Sequence, residues 1–284
     1  MNKAGIALSA CSIVAIGVSV FFGIRAAYST DGRYNHNKEE KKIAPNSIHS
    51  IEDISGKHIG AQVGTTGYTF ILDSEEGAIV EPYKTGEDGI KDLIEGKIDA
   101  VILDSAPAKE FAKMEEYADK IQILDEAYAL EEYSIGYSKD NEELGRKVND
   151  AITVLRQKGT LQEIESLWVD GNPNKIYYQP SADNNGENGT LRMVTNAEFP
   201  PYESEDEDGN LVGFDIDMMY AVCDQMGYKL EITDTDFSNV IRYVENGNAD
   251  VAVAGISVTP ERQEQVDFTQ TYATTEQVII TRAD

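Results

Sequence analysis

Sulfur and positive charge are both scarce in this chain of 284 residues. Of the two cysteines, Cys11 lies in an apolar N-terminal run and Cys223 in a helical pattern, so no disulfide is expected between them and cysteine usage leaves the compartment open. Lys and Arg number 24 against 51 Asp and Glu, a formal net charge of -27. That balance argues against a nucleic-acid partner, because neutralising phosphates needs a basic footprint. The run Glu203-Ser-Glu-Asp-Glu-Asp-Gly-Asn210 lacks the full ligand pattern of a calcium loop and reads as a solvated turn. The length suffices for one large or two small domains, each with its own core.

One apolar run stands apart. Residues 4–24 carry no charge and are long enough to cross a bilayer as a helix, which predicts a membrane anchor over 1–28. Leu8-Ser-Ala-Cys11 also looks like the acylation box of bacterial lipoproteins, and either reading tethers the remainder of the chain to a membrane. Residues 29–46 are polar and read as a stalk.

Beyond the stalk, strand-like and helix-like patterns alternate, as in repeated units on a parallel sheet. A strand over 58–63 runs into a Gly-Thr-Thr loop, where Thr65 and Thr66 open a helix whose free N–H groups suit an anion or an ordinary cap. The continuous apolar run 99–104 ends on Asp104, placed either to cap the next helix or to face a crevice as the partner of an ammonium group. Leu144, Val148, Ile152 and Leu155 form one apolar stripe and are read as core. Residues 171–190, rich in Pro, Asn and Gly, read as a flexible linker. A second α/β unit comes after it, ending with Gly255-Ile-Ser-Val-Thr-Pro-Glu-Arg262. There Ser257 and Thr259 offer hydroxyls, Pro260 opens a short helix, and Arg262 offers a planar cation suited to a small carboxylate.

These stretches carry a resemblance. Thr195-Asn-Ala-Glu-Phe-Pro-Pro-Tyr-Glu203, Gly213-Phe-Asp-Ile-Asp217, Gly255 to Arg262 and Val266-Asp-Phe-Thr269 resemble the N-terminal lobe of bacterial extracellular solute-binding proteins of the polar amino acid type. Asp53-Ile-Ser-Gly-Lys57, Gln62-Val-Gly-Thr-Thr66, Asp99-Ala-Val-Ile-Leu-Asp104 and Gly159-Thr-Leu-Gln-Glu-Ile164 resemble the rest of the same family. The resemblance implies an α/β fold of two lobes, the type II periplasmic-binding-protein-like fold, with a hinge through 131–137 and 274–278. The order of the motifs is reversed, as in a circularly permuted chain. In that frame 47–132, completed by 277–284, form the second ligand-binding lobe, 137–170 a helical pair packing on the first lobe, 171–190 the linker, and 191–276 the first lobe. The rival account is two truncated receptors joined in one chain, each half needing a partner from another molecule.

The resemblance further implies that Arg262 clamps the α-carboxylate of a free amino acid of arginine, lysine, glutamine or cystine type. Ser257, Thr65 and Thr66 assist. Asp104 takes the ammonium group with the Gly255 carbonyl, and Phe199, Phe237 and Tyr202 wall the ligand side chain. Asn196 stands where many relatives carry an aspartate, which weakens the case for a basic ligand side chain. No cofactor, metal or catalytic residue is implied. The expected partner is an ABC transporter permease, at the extracellular side of the cell membrane. A sensory module of a membrane signalling complex is the alternative, and a dehydratase-like enzyme a remote one.

Overall fold

Apolar runs too short for helices and bounded by turn residues become the strands of the two main sheets. In the computed structural model the described residues are 48–73, 77–170 and 177–283. The predicted anchor and the whole of the predicted stalk lie outside them. Among the described residues, no helix is long and apolar enough to cross a membrane.

The first half supplies strands β1 (His58–Gln62), β2 (Ile79–Tyr83), β3 (Ala100–Asp104), β4 (Ile121–Ile123), β5 (Ala129–Tyr133) and β6 (Gly136–Tyr137). The second supplies β7 (Thr190–Thr195), β8 (Glu198–Phe199), β9 (Glu203–Glu205), β10 (Leu211–Val212), β11 (Lys229–Asp234), β12 (Val251–Ala252), β13 (Asp267–Phe268) and β14 (Ala273–Arg282). β8, β9 and β10 form a small antiparallel sheet of their own. Of the two main sheets, one runs β2-β1-β3-β14-β4, with β5 also paired to β14, and the other runs β11-β7-β12-β6-β13. Each is built on parallel strands from its own half and accepts an antiparallel strand from the other half. Thus β14, late in the sequence, sits between β3 and β4, while β6 sits between β12 and β13. The two crossing segments are bonded side by side, Tyr272 N to Tyr133 O at 2.8 Å and Thr269 N to Ile135 O at 3.0 Å. The sequence places the second crossing at 274–278, but those residues are already inside β14, and the chain changes sheets before Ala273.

The helix Glu142–Lys158, capped by Asn141 and ended by Gly159 in the left-handed region, buries Leu144, Val148, Ile152 and Leu155 as its spacing predicts. With Thr160–Trp168 it packs on Phe214–Met226 in the second half. Burying each of these large side chains contributes about 1.5–3 kcal/mol. The stretch read as a flexible linker is tied down where it is described: Asp224 accepts from Tyr178 Oη at 2.9 Å, Ser181 N at 2.6 Å and Asn184 Nδ2 at 2.8 Å. A polar, Pro/Asn-rich composition predicts mobility only until a buried-edge carboxylate collects its donors.

Candidate functional site

The strands deliver the site from their C-terminal ends, the place where open α/β sheets leave polar groups facing a crevice. After β1 the chain turns into the helix Thr66–Leu72, and Thr65 caps it: its hydroxyl accepts from Tyr68 N at 3.1 Å and donates to Gln62 O at 2.8 Å. β3 ends on Asp104. In the second half β7 runs into Asn196, the helix Phe237–Glu245 follows β11, and β12 leads through Ala254 to Gly255 and Ser257.

These side chains line one cleft. Thr65, Thr66 and Asp104 stand on one wall, and Asn196, Phe199, Phe237, Gly255, Ser257 and Arg262 on the other. Tyr202 does not join them. Only 1 % exposed, its ring stacks behind Phe199 at 5.7 Å and meets Tyr133 edge-on at 5.1 Å, so it supports the wall without facing the cleft.

The cation is held on short chain segments. Thr259 caps the helix Pro260–Gln265 and accepts from Arg262 N at 3.2 Å, as Pro260 at its first position predicts. The guanidinium donates from Nη1 to Ser257 O at 2.6 Å and from Nη2 across the cleft to Gly64 O at 3.0 Å, and it lies 5.5 Å from the Phe237 ring centroid. Burial lowers its pKa from the ordinary value, while Glu131 and Asp104 act the other way.

The acid is set deeper. Asp104 occupies the cap position of the helix Ser105–Lys113 but makes no capping bond with its side chain, and it lines the cleft. Its Oδ1 accepts from Gln277 Nε2 at 3.2 Å, and the same nitrogen reaches Thr66 Oγ1 at 3.2 Å. The Gln277 carbonyl in turn accepts from the Tyr128 hydroxyl. Burial pushes the Asp104 carboxyl up to about 7, with the Tyr133 hydroxyl opposing, Glu131 adding, and Gln277 and Arg262 opposing.

Beside this charge pair the walls touch directly. Gln62 Nε2 donates to Asn196 Oδ1 at 3.0 Å and to Lys84 O at 3.0 Å, while Asn196 Nδ2 donates to Thr235 O at 3.0 Å. Gly255 adopts φ +54, and a Cβ there would stand 2.7 Å from the Phe199 ring, so glycine is required on both counts. Gln62, Ala254 and Gln277 escaped the sequence reading. Gln62 lies in a motif already singled out, and Gln277 is a polar residue opening an apolar run, a signal that marks a buried partner without naming it.

Residues 191–284 match the profile of the bacterial extracellular solute-binding proteins, family 3. The chain is 33% identical over 106 residues to the arginine-binding extracellular protein ArtP of Bacillus subtilis, covering 37% of this chain and 41% of that protein. It is 30% identical over 128 residues to the L-cystine-binding protein TcyJ of Escherichia coli, covering 45% and 47%. A solved periplasmic binding protein of Salmonella typhimurium, described as having high arginine specificity, is 40% identical over 28% of this chain and 36% of its own, with a TM-score of 0.28. The chain therefore spans less than half the length of the curated relatives it matches.

Proposed function

The chain belongs, through residues 191–284, to the bacterial extracellular solute-binding proteins, family 3, and has an α/β fold like that of type II periplasmic binding proteins; from that premise we propose that it binds a free polar amino acid between its two walls. The observation that carries this reading is the division of charge: Arg262 from one wall and Asp104 from the other line a single cleft. A zwitterion needs a cation and a carboxylate held apart, and neither wall alone supplies both. The α-carboxylate replaces the carbonyls now held by Arg262, and the ammonium group sits at Asp104 beside the Gly255 carbonyl. The walls open and close about the paired crossings at Tyr133–Ile135 and Thr269–Tyr272.

The reading takes the reversed order of the motifs as a circular permutation, supported by the place of β14 in the sheet of the first half. The apolar N-terminal run tethers the receptor at the outer face of the membrane, and an ABC permease receives the ligand. The named specificities of the relatives, for arginine and cystine, make those amino acids the first to try here. Calorimetry on the purified full chain with L-arginine, L-lysine, L-glutamine and L-cystine tests the reading. One site per monomer for at least one of them is expected. No heat from any of them, with the chain folded, sinks it.

A further inference from the structure

Glu203 is the residue that the sequence misplaces most. Read as the start of a solvated acidic turn, it is 0 % exposed, and so is Asp215. Both Glu203 oxygens and Asp215 Oδ1 meet no donor from the rest of the described chain, and the Asp215 amide donates to Tyr202 O at 2.9 Å, which sets the two acids side by side, each acting on the other. The remaining oxygen, Asp215 Oδ2, is fully used: it accepts from Tyr272 Oη at 2.8 Å and from the Gly255 amide at 3.1 Å. The other ionisable groups acting on the pair are Tyr202 and Asp234. No lysine, arginine or histidine among the described residues bridges either carboxyl.

We propose that Glu203 and Asp215 share one proton as a buried acid–carboxylate pair, and that this pair positions the Gly255 peptide, and with it the floor of the cleft, from beneath. Two unpaired carboxylates cannot both ionise in such surroundings, and a proton on Glu203 gives Asp215 Oδ1 the donor it lacks among the described residues. Asp215 then keeps its charge for the Gly255 N–H. That bond anchors the Ala254–Gly255 peptide, and the positive φ of Gly255, close beneath the Phe199 ring, limits how the next peptide, which carries the Gly255 carbonyl, can turn. Loss of the proton to solvent at alkaline pH leaves two neighbouring carboxylates, whose repulsion pulls Asp215 from the amide. Burial, the cause of the upward shift of Glu203, keeps that loss away from neutral pH. Glu203 and Asp215 are thus positioning residues, and their link to ligand binding rests on the function proposed above.

The full chain, with Glu203→Gln and Glu203→Ala variants, provides the test. Infrared difference spectra between wild type and Glu203→Gln isolate the C=O stretch of a protonated Glu203, which is expected at neutral pH. Its absence overturns the shared proton. Hydrogen exchange of the segment 254–257 is expected to quicken roughly tenfold in Glu203→Ala and to return to the wild-type rate in Glu203→Gln, whose amide replaces the donor. In wild type it quickens at alkaline pH beyond the base catalysis seen in Glu203→Gln, and equal rates in all three chains overturn the positioning role. Binding of L-arginine, L-glutamine and L-cystine is followed in parallel. If none binds any chain, the proposed function fails while infrared and exchange still decide the pair. If one binds equally well to Glu203→Ala despite faster exchange, the link from pair to cleft is overturned.

Discussion

The two walls of the cleft solve opposite problems. The wall built on β1, β3 and β14 presents an acid that is 8 % exposed and tied by Gln277, a side chain from the far end of the sequence, to Thr66. The wall built on β7 and β12 presents a cation on a six-residue helix, held by two backbone carbonyls, one of them on the opposite wall, and by the face of the Phe237 ring. Burial raises the acid toward neutrality and so makes its charge dependent on a partner. The guanidinium, with an ordinary value far above neutrality, stays charged whatever its surroundings. The acid wall is therefore a fixed, buried socket, and the cation wall supplies the reach.

Removing the reach should have the largest effect. Arg262→Ala leaves the ligand carboxylate without its charged partner and is expected to weaken the tightest-binding amino acid by about 2–5 kcal/mol, read as the ratio of dissociation constants. Loss of only a few tenths would move the carboxylate site elsewhere and erase the contrast between the walls.

The socket gives a smaller effect with a sharper signature. Asp104→Asn should cost about 1.5–3 kcal/mol of binding at neutral pH. In wild type, affinity should fall as pH drops below about 7, where the Asp104 carboxyl takes up its proton. Folding stability of the ligand-free chain should move the other way. The folded-state value is raised, so the contribution of Asp104 is fully present below the unfolded value of about 3.9 and is lost as pH rises through about 7. Asparagine should flatten both trends, measured by calorimetry and by chemical denaturation across pH. A pH-independent affinity in wild type would show that the ammonium group does not rest on Asp104.

The same contrast explains what could be read in advance. Arg262, Ser257, Thr65, Thr66 and Asp104 lie at strand ends followed by turn and cap residues, a local grammar that propensity and spacing preserve. The alternating strand and helix patterns exposed the α/β class for the same reason. Gln277, by contrast, acquires its role from Thr66 and Asp104, which β14 meets only after crossing into the other half's sheet, and no local pattern encodes that pairing. The resemblance implies Tyr202 in the wall of the cleft, yet its ring turns toward Tyr133 and Phe214. Glu203 failed through composition: within an acidic run the default is solvent, and only the β9–β10 hairpin, closing over the helix Phe214–Met226, turns its first residue inward.

The smallest effect concerns the place where socket and reach meet without charge. Gln62 and Asn196 are 4 % exposed each, and their mutual bond at 3.0 Å joins the walls beside the charged pair. Each has a second bond to a backbone carbonyl on its own side, Lys84 O for Gln62 and Thr235 O for Asn196, so both amides are oriented before the walls meet. Gln62→Ala and Asn196→Ala should each weaken binding by about 0.5–1.5 kcal/mol, the net worth of a neutral hydrogen bond. If the bond between them belongs to the closed, ligand-holding arrangement, the double variant should lose less than the two singles together, a coupling of about 0.5 kcal/mol or more in a double-mutant cycle on dissociation constants. Strict additivity would instead mean that each amide serves only its own wall, and that the walls are joined in the bound state by the ligand and Arg262 alone.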